Sequence, residues 1–236
     1  MKNAGKAKRA GLRLLVRVTM VVGLLWVGAL ALDFARMHGQ TASAPVLWPG
    51  LGVVCVVWIL FAGFVVVFFR DPDPQPPGDP RLIVSPAHGK VDLVGETTEP
   101  EFMGGSCRRV SIFLSIFDPH VQNAPVTGKV ALLKYQPGKF ICALRTESAA
   151  ANENVLIGFE PQTNPNRRLA VRLVAGVLAR RIVPWIAPGE ELVCGDRISL
   201  IQFGSRVEVY LPMSATVMVS PGQKVAGGKS VIARFD

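Results

Sequence analysis

Two long apolar segments constrain this chain more than any other feature of its sequence. Val18–Leu32 contains no charged residue and extends back to Leu14 if Arg17 reaches the lipid interface, and Leu51–Phe69 is uncharged throughout. About 20 apolar residues in a helix cross a bilayer. A cleaved signal peptide is the alternative for the first segment, but no small-residue cleavage site ends it cleanly and a second apolar segment follows at once. We therefore expect a hairpin of two transmembrane helices.

The net charge of +9 is unevenly distributed along the chain. Residues 1–69 carry seven basic side chains and one acidic side chain, whereas the remaining residues carry 19 basic and 16 acidic ones. A basic tail beside a membrane helix stays in the cytoplasm, so the hairpin should return the rest of the chain to the cytoplasmic side of the inner (cell) membrane. Nucleic-acid binding is disfavoured, because basic and aromatic residues do not interleave in that part.

The four cysteines, Cys55, Cys107, Cys142 and Cys194, show no C-x-x-C spacing. This pattern predicts neither a metal site nor a disulfide framework, and it fits a reducing compartment.

A mainly antiparallel β domain is predicted for residues 81–236, after a proline-rich linker at residues 70–80. Its short β-branched runs are separated by turn signals. Two motifs also occur twice: P-G-x-x-Φ-x-x-G-x-x-Φ, where Φ is apolar, at Pro188 and Pro221, and P-x-x-G-K-V at Pro86 and Pro125. Repeated hairpins of this type resemble the barrel-sandwich (biotinyl/lipoyl-like) fold. The predicted strands are Leu82–Val84, Lys90–Val94, Arg109–Ser115, Lys129–Tyr135, Val155–Phe159, Ala170–Ala175, Ile182–Ile186, Arg197–Phe203, Val207–Leu211 and Thr216–Val219.

The bond between Gly204 and Ser205 opens an alternating, strand-like run about thirty residues from the end of the chain. A serine hydroxyl can attack the carbonyl carbon of the residue before it, and glycine leaves that carbonyl uncrowded. Most Gly-Ser pairs are ordinary turns, so this pair has to be judged by its surroundings.

Those surroundings, with four other groups in chain order, resemble the short, membrane-anchored form of the phosphatidylserine decarboxylases. The groups are Phe69-Arg70-Asp71-Pro72, Ile83-Val84-Ser85-Pro86-Ala87, Pro119-His120-Val121 with Pro125–Val130, Ala179-Arg180-Arg181-Ile182-Val183, and Phe203-Gly204-Ser205-Arg206-Val207 with Val209–Pro212.

The resemblance implies self-cleavage between Gly204 and Ser205. It would yield a β chain (1–204) and an α chain (205–236), held together as a heterodimer, with Ser205 converted to a pyruvoyl group. The resemblance further implies that this cofactor decarboxylates phosphatidylserine to phosphatidylethanolamine at the membrane. Its ketone would take up the electron pair that carbon dioxide leaves behind.

The resemblance also gives His120 the role of general base and acid. The family usually carries an aspartate where this chain has His88, and that aspartate orients the catalytic histidine. Three interpretations follow. His88 acts together with His120, another acid such as Asp92 or Asp118 replaces the aspartate, or self-processing is slow or lost. The family commonly has arginine near Gln122-Asn123 and in 152–155, where this chain has none.

Three alternatives remain open from the sequence. The substrate is another serine-headgroup lipid, for example one with ether chains, or the chain is a homologue that no longer processes itself. The third is a non-enzymatic membrane adaptor with a barrel-sandwich domain, which would account for the hairpin and the repeats but not for the residues around Ser205.

Overall fold

The computed structural model describes residues 1–38, 47–139, 152–164, 166–176, 181–202 and 205–236. They form two compact units, one of residues 6–70 and one of residues 71–236 together with residues 1–5. Five residues on which the sequence predictions drew, Cys142, Ala179, Arg180, Phe203 and Gly204, lie outside the described residues.

Two apolar helices, α1 (Lys6–His38) and α2 (Leu47–Phe68), make up the first unit. Both are long and apolar enough to cross a membrane, and their large side chains are mostly exposed, as expected where the surrounding solvent is lipid. The two helices pack against each other: the ring centroids of Trp26 and Trp48 are 6.3 Å apart, and a Cβ on Gly11 would lie 2.8 Å from that of Phe69. The predicted pair of helices is confirmed, and it indicates association with a membrane.

Residues 70–80 form neither helix nor strand, as their prolines predict. They are nevertheless attached to the rest of the second unit. Arg197 is almost completely buried, and its guanidinium lies 2.6 Å from Asp71 and 2.9 Å from Asp73. The segment is therefore not a free spacer over its whole length, which the prolines alone did not reveal.

The first residues of the chain contact the same corner of this unit. The main-chain N–H of Lys2 donates to Asp196 (2.7 Å), and the side-chain amide of Asn3 donates to the carbonyl of Arg197 (2.8 Å). Both contacts lie at the start of the strand that leads towards Ser205.

Antiparallel strands account for most of the second unit, as the sequence predicts. Its described strands are β1 (Leu82–Val84), β2 (Gly89–Glu99), β3 (Gly105–Leu114), β4 (Val121–Asn123), β5 (Gly128–Gln136), β6 (Asn154–Pro161), β7 (Leu169–Ala175), β8 (Arg181–Pro184), β9 (Glu191–Leu192), β10 (Arg197–Gln202), β11 (Ser205–Leu211), β12 (Thr216–Val217), β13 (Lys224–Val225) and β14 (Val231–Arg234). They form an eight-stranded sheet, β13-β2-β3-β11-β7-β6-β5-β9, and two three-stranded sheets, β1-β14-β12 and β4-β10-β8.

The apolar core lies on one face of the eight-stranded sheet. Along β11, Val207 and Val209 belong to this core, whereas Arg206 and Glu208 between them point to the opposite face, because side chains alternate along a strand. The same alternation directs Ser205 to the core face.

The sequence repeats correspond to equivalent structures. Gly89 begins β2 and Gly128 begins β5, and each lies against the main chain of the next strand. A Cβ would come within 2.3 Å of the Phe113 carbonyl oxygen at the first position and 2.2 Å of the Glu160 carbonyl oxygen at the second. Only glycine fits such a close approach.

The Pro-Gly repeats at Pro188 and Pro221 each lead into a short strand, which pairs with β5 and β2, respectively. The N–H of Gly222 donates to the carbonyl of Val91 and that of Gly189 to the carbonyl of Val130, both at 2.7 Å. Both glycines have positive φ, 95° and 88°, which favours glycine over other residues. The repeats thus build the two ends of the eight-stranded sheet, β13-β2 and β5-β9.

Candidate active site

Ser205 begins a strand in a different sheet from the strand that precedes it in the chain. β10 ends at Gln202 in the sheet β4-β10-β8, and β11 begins at Ser205 in the eight-stranded sheet. Gly204 is outside the described residues, so the position of the candidate bond is given by the strands on either side of it.

The segment that contains β3 and β4 runs antiparallel to the segment that contains β10 and β11. It passes from one sheet to the other beside the start of β11. β3 pairs with β11 up to Ser205, and β4 pairs with β10 from Val121 onwards. Residues 115–120, between β3 and β4, interrupt this pairing. His120 lies in that interruption, and its carbonyl accepts a hydrogen bond from the N–H of Ile201 (3.1 Å). The fold therefore brings His120 and Ser205 to the same break in the pairing of two segments.

Ser205 is completely buried, opposite Leu114 on one side and Ala175 on the other. Its Oγ makes no hydrogen bond in the part of the chain that the structure describes. A buried hydroxyl without a partner costs free energy, and such groups often have a chemical role. This hydroxyl is at the residue that the sequence selects as the nucleophile.

His120 is also completely buried, and one nitrogen of its ring has a defined role. Nδ1 lies 2.7 Å from the main-chain carbonyl oxygen of Asp118. A carbonyl oxygen can only accept, so Nδ1 carries the proton and Nε2 is the basic nitrogen of the neutral ring. This is the form that a general base requires.

Gln122 and Ser199 hold the main chain of His120 in place. The Gln122 side-chain amide donates to the His120 carbonyl (2.7 Å), and the Ser199 hydroxyl donates to the Gln122 side-chain oxygen (2.7 Å). All three residues are buried. The sequence marked Gln122 only as a departure from the family pattern, and nothing in its spacing pointed to this function.

The two carboxylates considered as partners of a histidine have other partners. Asp92 forms an ion pair with Arg206 (2.6 Å), and Asp118 accepts a hydrogen bond from the N–H of Ser115 (2.9 Å) through its side chain. Asp92 is the extra residue of a β-bulge in β2, so the regular alternation of side chains along a strand does not hold there. Asp118 reaches His120 through its carbonyl, not through its carboxylate.

His88 is half-buried immediately before β2. β2 and β11 pair with opposite edges of β3, and Phe113 of β3 is the partner of both Lys90 and Arg206. His88 and Ser205, which precede these two residues, therefore lie at the same end of the sheet. The ring of His88 flanks Gly227, where an added Cβ would lie 3.1 Å from it.

The opposite face of the sheet carries a buried polar cluster that sequence reasoning missed. The Tyr210 hydroxyl donates to Glu208 (2.5 Å), and Arg109 lies 3.4 Å from the same carboxylate. Burial, and then the charge of Glu208, raise the pKa of Tyr210. The alternation of charged and aromatic residues along β11 is the signal that could have indicated it.

Comparisons with known proteins agree with one another. The family model described as phosphatidylserine decarboxylase matches residues 61–233. A relative from Symbiobacterium thermophilum is 42% identical over 202 residues, which cover 80% of this chain and 93% of the relative. One from Desulfotalea psychrophila is 39% identical over 183 residues (78% and 85%), and one from Anaplasma phagocytophilum is 43% identical over 188 residues (79% and 81%). Each of these relatives is named a phosphatidylserine decarboxylase proenzyme.

Proposed function

Because this chain belongs to the phosphatidylserine decarboxylase family, we propose that it converts phosphatidylserine to phosphatidylethanolamine with a pyruvoyl group made from Ser205. The relatives are named proenzymes, which supports self-processing of this chain as well. The observation that carries the proposal is the buried Oγ of Ser205, which has no hydrogen-bond partner among the described residues and lies at the break in pairing that also holds His120.

Self-processing begins with the hydroxyl of Ser205. His120 accepts the hydroxyl proton at Nε2, and Oγ attacks the carbonyl carbon of Gly204. The peptide C–N bond breaks, an ester forms, and the nitrogen of Ser205 takes up a proton. Elimination then removes the Cα proton of residue 205, breaks the Cβ–Oγ bond and releases residues 1–204 with a terminal carboxylate. The dehydroalanine left at position 205 adds water and loses ammonia, which leaves the ketone.

The residues present fit this cofactor. β11 holds position 205 between β3 and β7, and the unpartnered Oγ shows that no described hydrogen bond has to be broken before the hydroxyl reacts. When formed, the pyruvoyl ketone supplies the electron sink for decarboxylation. His120 then returns a proton from Nε2 to the carbon that has lost carbon dioxide.

The Asp118 carbonyl gives His120 its reactive form without a carboxylate. We therefore assign His88 a supporting role, in which it lies at the same end of the sheet as Ser205 and shapes the surroundings of the proton transfers. The departure from the family pattern at His88 is then compatible with self-processing.

The basic N-terminal residues and the two apolar helices support attachment to the inner (cell) membrane with the catalytic domain on the cytoplasmic side. Domain bounds of 1–69, 70–80 and 81–236 follow from the same features. After cleavage, the chains 1–204 and 205–236 form a heterodimer, because β11 and β14 of the second chain pair with strands of the first.

Intact-protein mass spectrometry of the purified chain tests the proposal. The wild type should split after Gly204 and give a C-terminal fragment that has no free amine and reacts with a carbonyl reagent. Ser205→Ala should stay whole, and Ser106→Ala, at an exposed serine of β3, should split normally. A folded wild-type chain that remains whole would instead support the unprocessed homologue or the adaptor.

A split chain is then tested with lipids. Decarboxylation of phosphatidylserine in vesicles should produce phosphatidylethanolamine, and loss of this activity in Ser205→Ala links it to the cofactor. If a split chain acts only on serine lipids with ether chains, the proposed mechanism stands and the proposed substrate is wrong.

A further inference from the structure

The stretch that separates β3 from β4 begins with a rigid turn. The Ser115 N–H donates to the Asp118 carboxylate (2.9 Å), the Asp118 N–H donates to the Ser115 carbonyl (2.9 Å), and the Phe117 N–H donates to the Ser115 hydroxyl (3.1 Å). Three hydrogen bonds within four residues fix the conformation of this turn.

This turn presents Phe117 to solvent. With 66% of its surface accessible, Phe117 is the most exposed large apolar side chain among the described residues of the β unit. A single exposed apolar side chain needs no explanation on most surfaces. Here, however, the turn is held rigidly, and the ring stands three residues from His120.

The turn also belongs to the candidate site. The Asp118 residue that closes it accepts the hydrogen bond from Nδ1 of His120, so one short segment both fixes the basic nitrogen and displays the aromatic ring. Any surface that Phe117 contacts is therefore close to the reacting groups.

We propose that Phe117 inserts into the phospholipid bilayer at the rim of the site and brings lipid headgroups to His120 and Ser205. The inference rests on the proposed function, since it takes the break in strand pairing as the active site. A two-chain phospholipid does not leave the bilayer readily, so its headgroup has to be met at the interface. Phe is one of the side chains that interfacial segments bury at that depth, and a rigid turn loses little conformational freedom when it inserts.

The first experiment maps lipid contact directly. Phe117→p-benzoylphenylalanine in the full chain, in proteoliposomes of phosphatidylserine and phosphatidylcholine, should give a covalent lipid adduct on irradiation. Met218→p-benzoylphenylalanine is the matched control, because Met218 is 53% exposed and lies in a different part of the domain. Equal adducts at the two positions, or a cross-link to a second protein chain at position 117, would overturn the proposal.

The same experiment in a Ser205→Ala background separates this inference from the proposed function. The adduct at position 117 should form whether or not the chain splits, since insertion requires only the folded turn. In the chain that keeps Ser205, a lipid adduct without self-cleavage would refute the cofactor and retain the membrane contact. Self-cleavage without an adduct would support the cofactor and refute the membrane contact of Phe117.

Kinetics provide a second test. Phe117→Ser should raise the KM for phosphatidylserine in vesicles by roughly tenfold, because it removes a favourable apolar insertion. The KM for a short-chain phosphatidylserine dissolved as monomers should stay at the wild-type value. Met218→Ser should match the wild type with both substrates. Equal losses on vesicles and monomers would show that Phe117 is only structural.

Discussion

Arg206 and Asp92 form an ion pair of 2.6 Å that fixes the residue directly after Ser205. Arg206 is buried and also donates to the Ser111 hydroxyl (2.6 Å), so its guanidinium is held by both β2 and β3. The start of β11 is thus anchored from the face of the sheet opposite to the one to which Ser205 points.

Replacement of Arg206 should therefore slow self-cleavage. Arg206→Leu removes charge-assisted hydrogen bonds worth about 1.5–3 kcal/mol each and lets the start of β11 move. Arg206→Lys should recover part of the rate, because it keeps the charge. The half-time of splitting, followed by gel electrophoresis after synthesis, measures this effect. Arg109→Leu is the control on the same face, and an equal delay in that variant would contradict a specific role for Arg206.

Replacement of His120 should slow self-cleavage much more than replacement of His88. His120→Ala should slow self-cleavage by about 10²-fold or more, the usual contribution of a general base, whereas His88→Ala should slow it by less than about tenfold. The reason is that the Asp118 carbonyl, not His88, sets the protonated nitrogen of His120. The fraction of split chain over time, measured by mass spectrometry, distinguishes them. Complete loss in both variants would favour a joint action of the two histidines.

Asp71 and Asp73 both contact Arg197, but their burial differs. Only 3% of the Asp71 side chain is exposed, against 92% for Asp73. Asp71→Ala leaves a buried guanidinium without its main partner and should lower the free energy of unfolding by about 3–5 kcal/mol. Asp73→Ala should change it by at most about 1 kcal/mol. Thermal unfolding of the full chain in detergent compares the two, and similar shifts in Tm would show that the burial difference has no effect.

Tyr210 should make stability sensitive to alkaline pH. Its raised pKa means that the folded protein keeps the phenol proton at pH values where the unfolded chain, with a pKa near 10, releases it. The contribution of this group is therefore fully present below about pH 10 and is lost as pH rises above it. Tyr210→Phe should be less stable than the wild type at pH 8, by about 1–3 kcal/mol, and this gap should narrow towards pH 11. A constant difference in Tm over that range would exclude this linkage.

The sequence predicted much of the fold because the relevant signals are local. Charge-free runs identify α1 and α2, and β-branched runs identify the longer strands, including β7. The two-residue strands β9 and β13 were not predicted, since they are too short to show a period, but the repeated Pro-Gly turns beside them were recognised. β4 and β14 were missed as well, although β14 is the central strand of its sheet.

The contacts of the site were harder to predict, because they depend on groups that no motif marks. The partner of His120 Nδ1 is a main-chain carbonyl, which every residue has. The bulge at Asp92 redirects a carboxylate towards Arg206, and a side-chain pattern does not report an extra residue in one strand. Ser205 and His120 come together only through the pairing of two segments far apart in the chain.

The position of β11 between β3 and β7 has a consequence for the lifetime of the enzyme. Once the backbone is cut before Ser205 as proposed, the strand keeps both neighbours, and the short fragment cannot leave without opening the middle of the sheet. Its retention is then governed by the rate of global unfolding. After one such event the two pieces diffuse apart, and reassembly becomes a bimolecular reaction between two separate chains. A molecule that matures in this way can be expected to fold once, and its working life ends with its first complete unfolding.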